Sequence, residues 1–403
     1  MADLLLELFG EEIPARMQAR AADDLKRLVT ASLKAAELPI EAAEAYVTPR
    51  RLILHITGLP LAQPDVREEK RGPKVDAPEK AIEGFLRGNG VTRAQCEERE
   101  LPKGKFLFAV IERQGRPTAE VLAEFLPTAF ADLPWPKSMR WGAGTIRWVR
   151  PLHSIIALLD GAVVPLSFAG IDSGDTTKGH RFHAPEAFAV KDFADYQEKL
   201  AAAKVSGFLK SAGTNAQEAG LRLVADDGLV AEIAGLVEWP VPVLGNFDRR
   251  FLDVPAEVLV TTMKVNQKYL SLRDGDGKLA PNFITVANLE AQDGGRQIIA
   301  GNEYVLTARL ADAEFFWTQD KKKTLESRLP ALDEMVFHAK LGSLGQKIIR
   351  LENLSAALAQ FVPGANGETA RRAAHLCKAD LVSDMVYEFP EVQGAMGRYY
   401  ALN

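Results

Sequence analysis

Cysteine is almost missing from this sequence. Cys96 and Cys377 are the only two, and they lie far apart. Two isolated thiols form neither a disulfide framework nor a paired-cysteine metal site, which fits a reducing cytosol. Long apolar runs are absent too. No stretch approaches the ~20 residues of a membrane helix. The start, Met-Ala-Asp-Leu-Leu-Leu-Glu-Leu, lacks the basic segment and apolar core of a secretion signal. The G-x-x-x-x-G-K-[ST] phosphate loop is absent, and Gly142-Ala143-Gly144 lacks the third glycine of a dinucleotide fingerprint. Asp274-Gly275-Asp276-Gly277 lacks the spacing and distal Glu of a calcium loop, so a hairpin turn is the expectation there. None of the six histidines is followed by Asp, which excludes the adjacent His-Asp metal pair of HD-type phosphohydrolases. His180-x-x-His183 could supply two ligands, but no nearby carboxylate or Cys completes the set. We therefore expect no catalytic residue and no metal ligand in this chain, at His338, His375 and Asp380 included.

What is present is an ordinary globular composition over 403 residues, 47% apolar and 26% charged. That length holds two or three domains. The net charge of -5 argues against a general polyanion binder, so any nucleic-acid contact must come from local patches. One such patch stands out. Between Pro134 and His153, Lys137, Arg140, Arg147 and Arg150 occur with no Asp or Glu among them, interleaved with Trp135, Trp141 and Trp148. Cations meet phosphates, and flat rings or guanidinium planes stack on unpaired bases. The same pattern also suits a Trp-rich core edge with a solvated basic rim. Lys321-Lys322-Lys323 reads first as a solvated helix start.

The periodicities predict an α+β, multidomain fold with mixed or antiparallel sheets and packed helices, followed by an all-α region. Leu4, Leu6 and Leu8 alternate as in a strand. After Pro14, Met17, Ala21, Leu25, Leu28 and Leu33 share a helical face. Arg51–Ile56, Phe106–Ile111 and Ser154–Leu159 read as strands. Thr118–Ala131 and Asp192–Lys210 read as helices. Val66–Lys80, with Arg67, Lys70, Arg71 and Lys74, reads as a charged loop. Beyond a composition shift near Gly170–Asp175, Asp226-Asp227 caps a helix and Trp239-Pro240 ends it. Val241–Leu244 is a strand, Asp253 and Pro255 start a helix, and Tyr269–Arg273 with Phe283–Ala287 form a hairpin. After Leu325 the pattern is helical. The expected domains are 1–172, 173–325 and 326–403.

Motifs in a fixed order carry a resemblance. They begin with Glu7, Glu11-Glu12-Ile13-Pro14, Thr48-Pro49-Arg50-Arg51-Leu52 and Lys70-Arg71-Gly72-Pro73. They continue with Pro136-Lys137-x-Met139-Arg140-Trp141-Gly142, Val149-Arg150-Pro151-x-His153 and Gly179-His180-Arg181-Phe182. Then come Val237-Glu238-Trp239-Pro240, Phe251-Leu252-x-Val254-Pro255, Met263-Lys264-x-x-Gln267-Lys268-Tyr269, and Pro281-Asn282-Phe283-Ile284. The last are Gly301-Asn302-Glu303, Arg309-Leu310-x-Asp312-Ala313-x-Phe315-Phe316, Lys378-Ala379-Asp380-Leu381 and Val392-Gln393-Gly394-x-Met396-Gly397. In this order the chain resembles the β subunit of bacterial heterotetrameric (α2β2) glycyl-tRNA synthetase. The family continues past Asn403, so the chain looks like an N-terminal portion that stops inside a degenerate HD-like helical domain.

The resemblance implies a division of labour. An α subunit carries the class II active site and uses ATP, with magnesium, and glycine. The β subunit binds and positions tRNA(Gly), holds no cofactor itself, and is cytoplasmic, with neither DNA nor a membrane as partner. Phosphate contacts give affinity and register, while stacking and base-edge contacts discriminate. The expected tRNA contacts are Arg50, Arg51, Lys70, Arg71, Lys137, Arg140, Arg147, Arg150, Arg181, Lys264 and Lys268, with Trp141 and Tyr269 as stacking groups. Glu11, Glu12, Asp312 and Glu314 read as partners of arginines within the fold. The alternatives are a free-standing RNA-binding module and an HD-type phosphohydrolase.

Overall fold

Strand β1 (Ala2–Gly10) runs through the middle of the first unit of the chain. The computed structural model describes residues 1–142, 144–205 and 216–403, which divide into two units, Met1–Gly207 and Phe208–Asn403. In chain order the first unit continues with α1 (Ala15–Ala35), β2 (Ala42–Thr48), β3 (Arg51–Leu59), β4 (Val66–Lys74), α2 (Glu79–Asn89), β5 (Cys96–Leu101), β6 (Gly104–Arg113) and α3 (Thr118–Ala131). It ends with β7 (Leu152–Leu159), β8 (Ala162–Val163), β9 (Ser167–Phe168), β10 (Ile171–Gly174), β11 (Thr176–Lys178), β12 (Ala187–Ala189) and α4 (Phe193–Ala202). The main sheet has the order β2-β3-β1-β7-β10-β9, with β8 added to β7. Only the β10–β7 pair is parallel; the others are antiparallel.

The alternation of Leu4, Leu6 and Leu8 predicts a strand with one buried face. In the structure both faces of β1 are covered. Leu4, Leu6 and Leu8 point into a core shared with Leu25, Val29 and Leu33 of α1 and Leu122, Leu126 and Phe130 of α3. Leu5 packs on the other face with Ile53, Ile156, Leu158, Tyr196 and Leu200. Each such leucine contributes roughly 1.5–3 kcal/mol by leaving water. The second layer has a consequence for Glu7, which shares the face of Leu5 and is 0% exposed. A charge there must be partnered. Arg51, also 0% exposed, supplies its Nε at 3.2 Å, and the Tyr196 hydroxyl donates to the same carboxylate.

Residues 66–74, expected as loop, form an edge strand of a separate sheet with the order β4-β6-β5. Its charges are compatible with strand pairing because they lie on a solvated edge, where Lys, Arg and Pro also deter pairing with other chains. Arg99 of β5 grips Glu69 of β4 at 2.7 Å and Glu97 at 2.6 Å. The helix expected over Asp192–Lys210 is α4, with Asp192 accepting from Asp195 N as its cap. Its extension to Lys210 lies outside the described residues.

The second unit carries an antiparallel sheet with the order β13 (Arg222–Leu223), β15 (Leu270–Arg273), β16 (Leu279–Ala287), β14 (Val241–Asn246). One face, with Leu270, Leu272 and Ile284, packs on Leu229 and Ile233 of helix Asp227–Ala234. That helix is capped as expected by Asp226, whose side chain accepts from Leu229 N. The other face, with Phe283 and Tyr269, meets the long helix Arg296–Asp320 through Leu306, Leu310 and Trp317. Met385, Val392, Met396 and Tyr400 complete that core. The expectation of an entirely helical stretch after Leu325 meets one exception, a small hairpin pairing Val336–His338 with Gly342–Ser343. The Lys321-Lys322-Lys323 run lies between the C-terminal end of the long helix and Thr324, the cap of the short helix Leu325–Arg328. Cations complement the helix dipole there. Among the described residues no helix is long and apolar enough to cross a membrane.

Candidate nucleic-acid interface

The basic and Trp-rich block is a loop held at its neck. Met139 and Trp148 exchange backbone hydrogen bonds of 2.7 and 3.0 Å, closing residues 139–148 into a hairpin-like excursion. Trp148 is 3% exposed and sits edge-on to Trp135 at 5.2 Å and to Phe168 at 5.4 Å. Trp141 is half-buried and packs on the same core. The tryptophans thus anchor the block, and the cations are left outside. Lys137, Arg140, Arg147 and Arg150 are all exposed. Arg147 braces the loop by donating from Nε to Ser138 Oγ at 3.1 Å and from Nη2 to Ser138 O at 3.0 Å. Arg150 donates to its neighbour Val149 O at 3.0 Å. Among the described residues none of these four has an acidic partner within salt-bridge distance. Ala143 of this loop lies outside the described residues.

The other expected contacts divide differently. Arg51 and Tyr269 are inside the protein. Arg51 joins Glu7 and donates to Lys178 O, with its guanidinium 4.6 Å from the Phe9 ring. Tyr269 is 2% exposed, stacks on Phe283 at 4.5 Å and bonds to Asn302. Burial pushes its hydroxyl up to about 12. Neither can meet RNA without opening the core, so both are corrected to packing groups. Lys264 and Lys268 are exposed in part but held by acids, Asp226 at 2.6 Å and Glu232 at 3.1 Å. The Lys264 ammonium holds the Asp226 carboxyl below its usual range. Lys70 lies 3.5 Å from Glu68 and Arg71 lies 4.0 Å above the Phe106 ring, both on the charged edge strand.

Arg50 and Arg181 belong to a second feature. Motifs distant in sequence converge at the C-terminal end of β1. Gly10 takes no side chain there, because a Cβ would stand 2.6 Å from Pro151 O. That close approach lets Glu11 N donate to Pro151 O at 2.9 Å, bringing Glu11 beside His153. Glu11 pairs with Arg181 and lies 3.0 Å from His153 Nε2. Arg181 also reaches Glu12 at 3.1 Å. Burial pushes the Glu11 carboxyl up, but the hydrogen bonds from His153 and Arg181 outweigh it and hold the group below its ordinary value. Arg50 donates to Gly10 O at 3.0 Å and its guanidinium lies 4.5 Å from the Phe9 ring. His180 is fully buried, and its Nδ1 accepts from the amides of Phe182 and His183 at 3.3 Å. It fixes the turn that presents Arg181. A Cβ at Gly179 would stand 2.6 Å from the Ala203 methyl and 2.7 Å from Ala184 O, so only glycine fits. Beside them lies an open cavity of about 490 Å³ whose lining includes Glu11, Arg50, His153, Ser154, Lys178 and Arg181. Lys178 was not among the expected site residues. Its signal was its place just before Gly179-His180-Arg181.

The acidic residues read as structural partners follow suit at Glu11, Glu12 and Glu314, the last 3.9 Å from Arg250. His375 pairs with Glu352 at 2.7 Å, while Asp380 accepts from Gly394 N and from Gly397 N at 3.1 Å. Among the described residues no group of three or more His, Cys, Asp or Glu is placed to hold a metal ion.

Comparison with known proteins follows the same motifs. The family model described as glycyl-tRNA synthetase beta subunit matches residues 4–403. Over all of its length the chain is 54% identical to the glycine–tRNA ligase beta subunit of Ruegeria sp. (strain TM1040), covering 61% of that protein. It is 53% identical to that of Dinoroseobacter shibae, covering 58%, and 52% identical to that of Phenylobacterium zucineum, covering 61%. The chain belongs to the glycyl-tRNA synthetase beta subunit family. It spans about three fifths of the length of these relatives.

Proposed function

We propose that this chain acts in glycine–tRNA ligase as a tRNA-binding β-subunit component. In this reading an α subunit carries the active site and performs the ATP-dependent attachment of glycine to tRNA(Gly) in the cytoplasm. Membership of the family supports it. The observation that carries it is the 137–150 loop. It presents four cations with no acid beside them among the described residues, in a chain whose net charge is -5. Elsewhere, at Arg181, Lys264 and Lys268, the fold pairs its expected cations with carboxylates. A cation with no carboxylate partner has no salt bridge to break on meeting a phosphate, whereas a paired one must first break its bridge. The degenerate HD-like character of the region after Leu325 is part of the same proposal.

Arg140→Ala is expected to weaken tRNA(Gly) binding by about 1 kcal/mol, the loss of one charge-assisted hydrogen bond. The slope of log affinity against log salt should fall by just under about one unit. Arg147→Ala should lose at least as much, since it also removes the brace on Ser138. Unchanged affinity and salt slope in both folded variants would show that the block is structural. A second expectation concerns the division of labour. The purified chain alone should show no glycine-dependent exchange of pyrophosphate into ATP, and exchange in the absence of an α subunit would refute the assignment.

A further inference from the structure

We infer that the cavity at the end of β1 is a phosphate-binding subsite for one nucleotide of an RNA strand, with Lys178 as its principal anchor. The inference rests on the RNA-binding reading above and extends it to a site remote in sequence from the loop. At about 490 Å³ the cavity falls within the ~300–1,000 Å³ typical of small-ligand sites, more room than a bare ion needs. Its lining is positive: Arg50, Lys178 and Arg181 face a single carboxylate, Glu11. Glu11 already engages Arg181 and His153, which makes that side a fixed wall. The Lys178 side chain has no acidic partner among the described residues, so the cavity keeps one uncommitted cation. Arg50 is preorganised beside it by Gly10 O and the Phe9 ring, which lowers the ordering cost of a contact. Arginine forks and lysine point charges are the side chains that recognise phosphate.

Continuity with the loop favours RNA over a free nucleotide. Arg150 ends the cationic block, Pro151 O is the acceptor for Glu11 N, and His153 lines the cavity. A strand following the loop cations therefore arrives at the cavity rim within a few residues.

Lys178→Ala tests this directly. The backbone carbonyl that Arg51 uses is retained, so the fold should stand. With a tRNA(Gly) transcript as probe, affinity should drop about fivefold and the salt slope should fall by just under about one unit, with Lys178→Arg restoring most of both. Titration with AMP separates the source. If the subsite serves free nucleotide instead, AMP binds the unmodified chain saturably and Lys178→Ala abolishes it, while tRNA binding is unchanged; that result keeps the phosphate site and overturns the RNA assignment. If both probes bind Lys178→Ala as they bind the unmodified chain, the subsite does not exist. Arg140→Ala run in parallel distinguishes failures. A loss of tRNA affinity there, with neither tRNA nor AMP binding changed by Lys178→Ala, removes the subsite and leaves the loop reading intact. The reverse removes the loop and keeps the cavity.

Discussion

Arg51→Ala is expected to cost about 3–5 kcal/mol of stability, because it strands the Glu7 carboxylate in the interior. Both side chains are 0% exposed, and Arg51 and Tyr196 both engage the Glu7 carboxylate. The guanidinium also supplies a hydrogen bond to Lys178 O, which ties β3 to the end of β11 just before Gly179. Its loss should therefore loosen the cavity at the end of β1 as well. Urea denaturation followed by tryptophan fluorescence would report it, since Trp135, Trp141 and Trp148 all lie in the first unit. The double variant Glu7→Leu with Arg51→Met removes both charges together. It should recover most of the loss, because replacing a buried ion pair by apolar side chains of similar volume is often neutral. Normal stability in Arg51→Ala combined with weakened tRNA binding would instead return Arg51 to the RNA contacts.

The second large effect is expected at Asp320, the last residue of the long helix. Its carboxylate is 2% exposed and accepts four hydrogen bonds. Oδ1 receives Arg328 Nη2 at 2.9 Å and Asp384 N at 3.1 Å, and Oδ2 receives Met385 N at 2.9 Å and Tyr400 O–H at 2.8 Å. One side chain thereby joins the long helix to the segments at 328, 384–385 and 400. Asp320→Ala leaves a buried guanidinium and several donors unsatisfied, and roughly 3–5 kcal/mol is the expected cost. Asp320→Asn should lose less, since the amide oxygen still accepts while its NH₂ meets a donor. Burial, then the hydrogen bond to Asp320, pushes the Tyr400 hydroxyl well up, so it remains a donor far into the alkaline range. Trp317, stacked on Tyr400 at 5.6 Å, gives a local fluorescence signal for the transition. Wild-type denaturation of Asp320→Ala would show that the network is dispensable.

These two sites share a logic with the interface. Where the fold encloses a charge it provides partners, as at Glu7, Asp320 and Asp380. Where it exposes cations, it answers some with carboxylates and leaves the loop unanswered. Acidic neighbours at Lys264 and Lys268 make those lysines poor recruits for phosphate. The loop cations carry no such competition among the described residues.

Local pattern alone determined much of this protein. The leucine alternation at the start and the 3.6-residue periodicity after Pro14 located β1 and α1, and Thr118–Ala131 matched α3. Asp226 declared its cap, and Asp274-Gly275-Asp276-Gly277 declared a hairpin turn. These signals span a few residues, and backbone hydrogen bonding over the same range is what forms the elements. The motif order determined the family. Tertiary structure alone decided which charges are buried, because that depends on the second layer over β1, built by α4 far along the chain. It turned Arg51, beside the half-buried Arg50 in the sequence, into a core residue, and turned Val66–Lys74 from an expected loop into an edge strand paired with β6. It also decided which cations are compensated. Lys264 and Asp226 are remote in sequence and 2.6 Å apart in space, whereas Arg140 has no acid beside it among the described residues. Pairing between residues remote in sequence is a property of proximity in three dimensions, and a linear pattern does not fix it.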